Sequence, residues 1–246
     1  MIGTALPHRF MPAVNINERL GDKPISILVM HYTGMESAEL ACDWLCREES
    51  QVSCHYLVDE QGHITQMVDE AARAWHAGVS SWHGEEDINS LSIGIEIQNP
   101  GHGLGYRAFP HKQMETVAAL SKDIAARHNI KPRNVLAHSD VAPGRKIDPG
   151  EKFDWHFLHS QGVGHYVEPE AISGGSFLQE GDQGDPVFAL QAMLKLYGYG
   201  IEANSTFDAR TRVVVEAFQR HFRQARVDGI ADPSTVATLH RLLRQF

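Results

Sequence analysis

Apolar positions along the chain follow two periods, and the change of period divides the sequence. In the first part, short apolar runs alternate with stretches of helical spacing. Residues 25–30 (ISILVM) form an apolar run rich in β-branched residues that leads into His31, the signature of a buried strand. Residues 36–48 carry Leu40, Ala41, Trp44 and Leu45 at helical spacing. Residues 55–59 and 63–68 flank the turn Glu60-Gln61-Gly62 and predict a hairpin. Residues 92–98 (SIGIEIQ) alternate, as a strand does. Residues 111–129 read as an amphipathic helix with Met114, Val117, Ala118, Ile124 and Ala125 on one face, stopped before Pro132. Residues 135–137 predict one more short strand, leading into His138. Strands alternating with helices, plus a hairpin, predict an α/β layer structure with a mixed central sheet flanked by helices.

Residues 172–176 (ISGGS) read as a flexible linker, and beyond them only helical spacing recurs. Asp185-Pro186 supplies an N-cap and a first-turn proline ahead of Val187, Leu190, Leu194 and Tyr197. Asp208 opens a second helix with Val214, Ala217, Phe218 and Phe222 inward, and Asp232-Pro233 opens a third carrying Val236, Leu239 and Leu243. The expected organisation is an α/β domain over 1–168, a linker over 169–176 and a small all-α three-helix domain over 177–246.

Composition narrows the function. With 42% apolar and 22% charged residues, the 246-residue chain has the balance of a globular protein. No apolar run approaches the ~18 residues of a membrane-spanning helix. The net charge of −9 speaks against a nucleic-acid partner, which requires a basic footprint. Basic and acidic residues balance over 176–246, so the whole excess lies in the first 175 residues, in keeping with two units. Cys42, Cys46 and Cys54 are an odd set without a disulfide framework and are read as reduced thiols rather than a zinc knuckle. The first twenty residues lack a basic head followed by an apolar core, so no secretory signal is expected. The chain as written then belongs in the cytoplasm, with the periplasm or cell envelope as the alternative.

Candidate chemistry rests on three side chains. His31 and His138 both sit at the carboxyl ends of predicted strands, where open sheets place their sites. Asp148 follows in a loop held by Pro143, Gly144, Pro149 and Gly150. Two imidazoles and a carboxylate leave a fourth tetrahedral position for water, the arrangement of a catalytic zinc. Position alone leaves open that a strand-end histidine serves packing instead.

Five stretches occur in order: VMHYTGM from Val29, SCHYLVDEQG from Ser53, AWHAG from Ala74, SIGIEIQN from Ser92 and VLAHSDVAPGRKIDPG from Val135. Together they resemble the type-2 N-acetylmuramoyl-L-alanine amidases, the AmpD/AmiD-like group that shares a fold with T7 lysozyme and peptidoglycan recognition proteins. The similarity runs from about Ile25 to Gly164. It implies zinc as cofactor on His31, His138 and Asp148, with Glu96 as the catalytic glutamate and Lys146 as the catalytic lysine. It implies cleavage between N-acetylmuramic acid, or its 1,6-anhydro form, and L-alanine, with peptidoglycan or a muropeptide as partner. His76, in AWHAG, resembles a position lining the family's cleft. Tyr32, Asn99, Trp75 and Trp82 are candidate substrate contacts, and His55 is read as a hydrogen-bonded core residue. The stretches GDQGDPVFALQAML, TFDARTRVVVEAFQRHF and VDGIADPSTVATL resemble a three-helix peptidoglycan-binding domain, although the usual G-x-x-G-x-x-T is degraded to NSTFDART. Two alternatives differ in class: a non-catalytic wall-recognition protein, against which the complete residue set argues, and a zinc peptidase cutting within the stem peptide.

Overall fold

The computed structural model describes residues 2–172 and 174–245; Ser173, inside the expected linker, lies outside the described residues, as do the two chain ends. The first part contains β1 (His8–Phe10), β2 (Ile16–Glu18), β3 (Ile27–Tyr32), α1 (Ala38–Leu45), β4 (Tyr56–Val58), β5 (Ile64–Gln66), β6 (Ala72–Ala74), α2 (Ile88–Leu91) and β7 (Ser92–Ile97). After these come α3 (His111–His128), β8 (Val135–Ala137), α4 (His138–Val141) and α5 (Trp155–Ser160). Three helices complete the chain: α6 (Asp185–Tyr197), α7 (Ala209–Phe222) and α8 (Pro233–Leu243).

Six strands form one sheet in the order β1-β5-β4-β7-β3-β8. The predicted hairpin is the β4–β5 pair and runs antiparallel, whereas β4–β7, β7–β3, β3–β8 and β1–β5 are parallel. A parallel strand covered on both faces needs apolar side chains on both, which explains why ILVM is an unbroken run. Leu28 and Met30 of β3 join Ile93, Ile95 and Ile97 of β7 on the face covered by Met114, Val117 and Ile124 of α3. Ile27 and Val29 point the other way. On that second face β7 presents Ser92, Gly94 and Glu96. The alternation in SIGIEIQ therefore separates a packed face from a chemical one, not a buried face from a solvent face.

Three details depart from the sequence pattern. Helix α1 buries Ala38, Ala41, Cys42 and Leu45, while Leu40 and Trp44 remain partly exposed. Helix α6 is capped at Gly184, which places Asp185 in its first turn. Strands β1 and β2 are three-residue, exposed edge elements with no apolar pattern to announce them. The other two C-terminal helices start as expected, with Asp208 accepting from the Thr211 amide at 2.8 Å and Asp232 from the Thr235 amide at 2.8 Å. All three helices share one buried cluster with the sheet, in which Val187, Leu190, Val214, Phe218 and Leu239 meet Ile27, Val29 and Leu136.

At the far side of the sheet Glu70 is fully buried among cations and hydroxyls. It accepts from Arg127 at 2.8 Å, from His128 at 2.6 Å and from Tyr56 at 2.5 Å. Burial alone would raise its carboxyl, but Arg127 and His128 hold it well below the usual carboxylate range. A depressed carboxylate contributes stability above its unfolded-state pKa and loses it as the pH falls toward the folded-state value. Glu70→Gln is expected to lower the unfolding free energy at pH 7 by roughly 3–5 kcal/mol, because the Arg127 guanidinium loses its buried counter-charge. Urea unfolding should also show the variant's stability falling less steeply than the parent's below about pH 4.

Candidate metal centre and its cleft

Strand pairing brings the first two site residues together. His31 of β3 stands opposite Glu96 of β7 in register, so both side chains leave the same face of the sheet. Strand β8 pairs with β3 through Met30 and Ala137, which puts His138 at the next position along the same edge. The chain then turns through α4 and returns. The Ser139 amide donates to the Asp148 carbonyl at 3.0 Å, fixing the Asp148 carboxylate over the two imidazoles.

The three ligand atoms converge. His31 Nδ1 lies 2.9 Å from His138 Nδ1, and Asp148 Oδ2 lies 3.1 Å and 2.9 Å from those two nitrogens. Among the described residues this is the group of His, Cys, Asp and Glu side chains able to hold a metal ion, and all three members are buried. The surrounding bonds assign the tautomers. His138 Nε2 faces the Ala77 carbonyl at 3.0 Å and must carry its proton there. Ser92 Oγ donates to the Ile88 carbonyl at 2.6 Å and so accepts from His76 Nε2 at 3.1 Å. His76 Nδ1 is then an acceptor, and takes the proton of His31 Nε2 at 3.0 Å. Both Nδ1 atoms are left as bare lone pairs facing a carboxylate. Three buried electron-rich atoms so close together repel one another unless a cation sits between them, so the donor set fits zinc.

Electrostatics agree with that arrangement. Burial, and then the neighbouring His138, lowers the His31 pKa to about 4, which keeps the imidazole neutral and able to coordinate. Burial raises the Asp148 carboxyl, but His138 and His31 outweigh it and hold Asp148 well below the carboxylate range. Glu96 behaves in the opposite way. Burial and then the charge of Asp148 push its carboxyl well above the usual value, with Lys146 counteracting, and its Oε2 is enclosed without a hydrogen-bond partner.

A cleft of about 360 Å³ opens over these groups. Glu96, Lys146, Tyr32, Trp75 and His76 all line it beside His31, His138 and Asp148. Two expected contacts do not line it. Asn99 is buried away from the cleft, donating to the Arg107 carbonyl at 2.8 Å and accepting from the Gly101 amide at 3.1 Å. Trp82 is also buried, with its ring 5.1 Å from Tyr199 and 6.0 Å from Tyr197, so it packs the C-terminal helices against the sheet and cannot stack on a substrate. Trp44 and Arg145 line the cleft without having been singled out in the sequence. The Arg145 guanidinium is held by the Ala77 and Val79 carbonyls. His55 is a core residue, accepting from the Gly94 amide at 3.1 Å. The three cysteines are free thiols and ligate nothing in this group.

Comparison with known proteins decides the family. Residues 21–151 match the profile of the "N-acetylmuramoyl-L-alanine amidase" family. This chain belongs to that family. Residues 183–239 match a second profile, "Putative peptidoglycan binding domain". The amidase is 39% identical to N-acetylmuramoyl-L-alanine amidase AmiD of Escherichia coli over 237 residues, which span 90% of this chain and 83% of AmiD. It is 32% identical to 1,6-anhydro-N-acetylmuramyl-L-alanine amidase AmpD of Citrobacter freundii, over 60% of this chain and 86% of AmpD. The fold superimposes on that of Escherichia coli AmiD bound to anhydro-N-acetylmuramic acid-L-Ala-D-gamma-Glu-L-Lys with a TM-score of 0.77, covering 94% of this chain and 93% of AmiD at 35% identity. The amidase is thus a mixed α/β enzyme with a helical C-terminal region. No helix among its described residues is long and apolar enough to cross a membrane.

Gly94 makes room for the histidine chain behind the centre. A Cβ there would lie 2.6 Å from His76 Cγ and 2.9 Å from Cys54 Sγ. Gly94→Ala is expected to cost about 1–3 kcal/mol by overpacking, read from denaturant unfolding, and to weaken zinc retention by displacing His76.

Proposed function

We propose that the protein hydrolyses the amide bond between the lactyl group of N-acetylmuramic acid, or its 1,6-anhydro form, and L-alanine, using zinc held by His31, His138 and Asp148. The observation that carries this reading is the meeting of two proton-free Nδ1 atoms and one carboxylate oxygen within 3.1 Å of one another. Bound there, zinc would supply the Lewis acidity that polarises a carbonyl and makes water nucleophilic near neutral pH.

The remaining chemistry belongs to the chain. Glu96 stands beside His31 but outside the group of metal-binding side chains, and its raised pKa suits a carboxyl that gains and gives up a proton during turnover. In the forward direction Glu96 takes the proton of the attacking water and then delivers it to the nitrogen of the departing L-alanine. The Lys146 ammonium faces the negative charge that develops on the substrate carbonyl oxygen, and one such donor is worth roughly 3–4 kcal/mol. His76 and the Ala77 carbonyl hold the two imidazoles in the tautomer that leaves Nδ1 free. Trp75, with its indole nitrogen 2.6 Å from Asn17, and Tyr32 present fixed aromatic surfaces to sugar or peptide. Residues 1–168 form the amidase domain, 169–176 the linker and 177–246 the wall-binding domain.

The relatives support the substrate assignment. AmiD is named for this bond, and its solved complex holds a muramyl peptide that carries it. Incubating the zinc-loaded protein with anhydro-muropeptide should release an intact peptide beginning with L-alanine, identified by mass spectrometry. Cleavage inside the stem peptide would instead make it a peptidase. Glu96→Gln should keep about one zinc per chain while turnover falls about 10²–10⁴-fold. Normal turnover in that variant would remove Glu96 from the mechanism. His138→Ala should lose both metal and activity, and one firmly held zinc per chain in it would overturn the ligand assignment.

A further inference from the structure

Helix α4 is only four residues long, and such a helix cannot hold its own shape. Yet it starts at His138, and the turn that follows it carries Lys146 and Asp148. What fixes it is Asp140. This fully buried carboxylate accepts the Ala137 amide at 2.8 Å on Oδ2, closing the helix's first turn. Its two further partners come from the C-terminal region, Tyr199 just past the end of α6 and His221 on α7. Tyr199 donates its hydroxyl to Oδ1 at 2.7 Å, and His221 donates Nδ1–H to Oδ2 at 2.6 Å. Tyr199 and His221 are themselves sealed from solvent, and the His221 ring stacks 3.7 Å from Trp155. The turn after α4 is braced from the same side. Arg210 of α7 donates to the Pro143 carbonyl at 3.0 Å, and Gly144 sits so close to α7 that a Cβ there would meet Val213 at 3.1 Å.

We propose that Tyr199 and His221 are positioning residues of the amidase centre, acting through Asp140 to hold the segment that carries His138, Lys146 and Asp148. A domain whose family is described by wall binding would on this reading have a second task, as part of the scaffold of the metal site. The proposal rests on His138 and Asp148 being the zinc ligands. It follows from chemistry already described: ligand-orienting groups keep a metal in place, and removing one typically loosens the metal 10–100-fold. Tyr199 and His221 act one step further out, on the backbone that aims the ligands.

The test uses the full-length, zinc-loaded protein and a muropeptide too small to need a wall anchor. Tyr199→Phe deletes one hydroxyl from Asp140. His221→Leu deletes the other donor, whereas His221→Asn keeps an N–H near the place of Nδ1. Two quantities are read: the rate at which a chelator strips zinc, and kcat against KM. The expected result is zinc loss about 10-fold faster for Tyr199→Phe and for His221→Leu. Their kcat should fall by a similar factor at unchanged KM, and His221→Asn should lie close to the parent. Parental zinc release and kcat in both deletion variants, with any deficit confined to whole-wall substrate, would overturn the proposal and leave the helices as an anchor alone. If His221→Leu does not fold, Tyr199→Phe decides. A parent protein that retains no zinc would instead overturn the ligand assignment itself, so the two failures are told apart.

Discussion

Mutual repulsion among three electron-rich atoms governs this architecture. The two Nδ1 atoms and the Asp148 carboxylate are held within 3.1 Å of one another and buried at the floor of the cleft. Such a cluster is costly for a protein to assemble without a cation, and every neighbouring element serves to enforce it. Parallel pairing of β3 with β7 and β8 aligns the two histidines. The Ala77 carbonyl and the His76–Ser92–Ile88 chain hold their protons on the outward nitrogens. The two strand neighbours His31 and Glu96 end in opposite conditions, one imidazole kept neutral and one carboxyl reluctant to ionise, because burial acts against whichever form is charged.

The strands and helices with strong periodicity were readable in the sequence because packing and propensity agree there. Residues 92–98 and 111–129 repeat the period of the element they form, residues 25–30 are the unbroken apolar run of a strand covered on both faces, and the aspartates at 208 and 232 cap helices in the usual way. The short edges β1 and β2 have no such period, since exposed strands of three residues bury nothing. The candidate site was legible in its residue types, above all through the ordered motifs from Val29 to Gly150. What the sequence could not carry was direction. Asn99 stands two residues beyond the central strand that carries Glu96, yet its amide closes the loop to Arg107. Trp82 resembles a substrate platform until Tyr197 and Tyr199 are seen to cover it. Trp44 sat in an apolar helix pattern that gave no sign of its place in the cleft lining beside Ala41 and Leu45.

The C-terminal helices likewise look separable in the sequence, with their own caps, neutral charge and a glycine-serine connection. In three dimensions their apolar faces close over the sheet rather than over one another alone. Trp82 lies at the junction, lodged beside Gly198 where a larger residue would collide with its indole.

The wide sequence separation of the site has a bearing on synthesis. His31 and His138 are 107 residues apart, and their meeting waits for β8 to add to the outer edge of β3. A growing chain that has emitted only its first hundred residues therefore holds one imidazole and a glutamate but no hydrolytic centre. Contacts so distant along the chain form late in folding. For an amidase, such late assembly withholds the blade until the whole sheet is built.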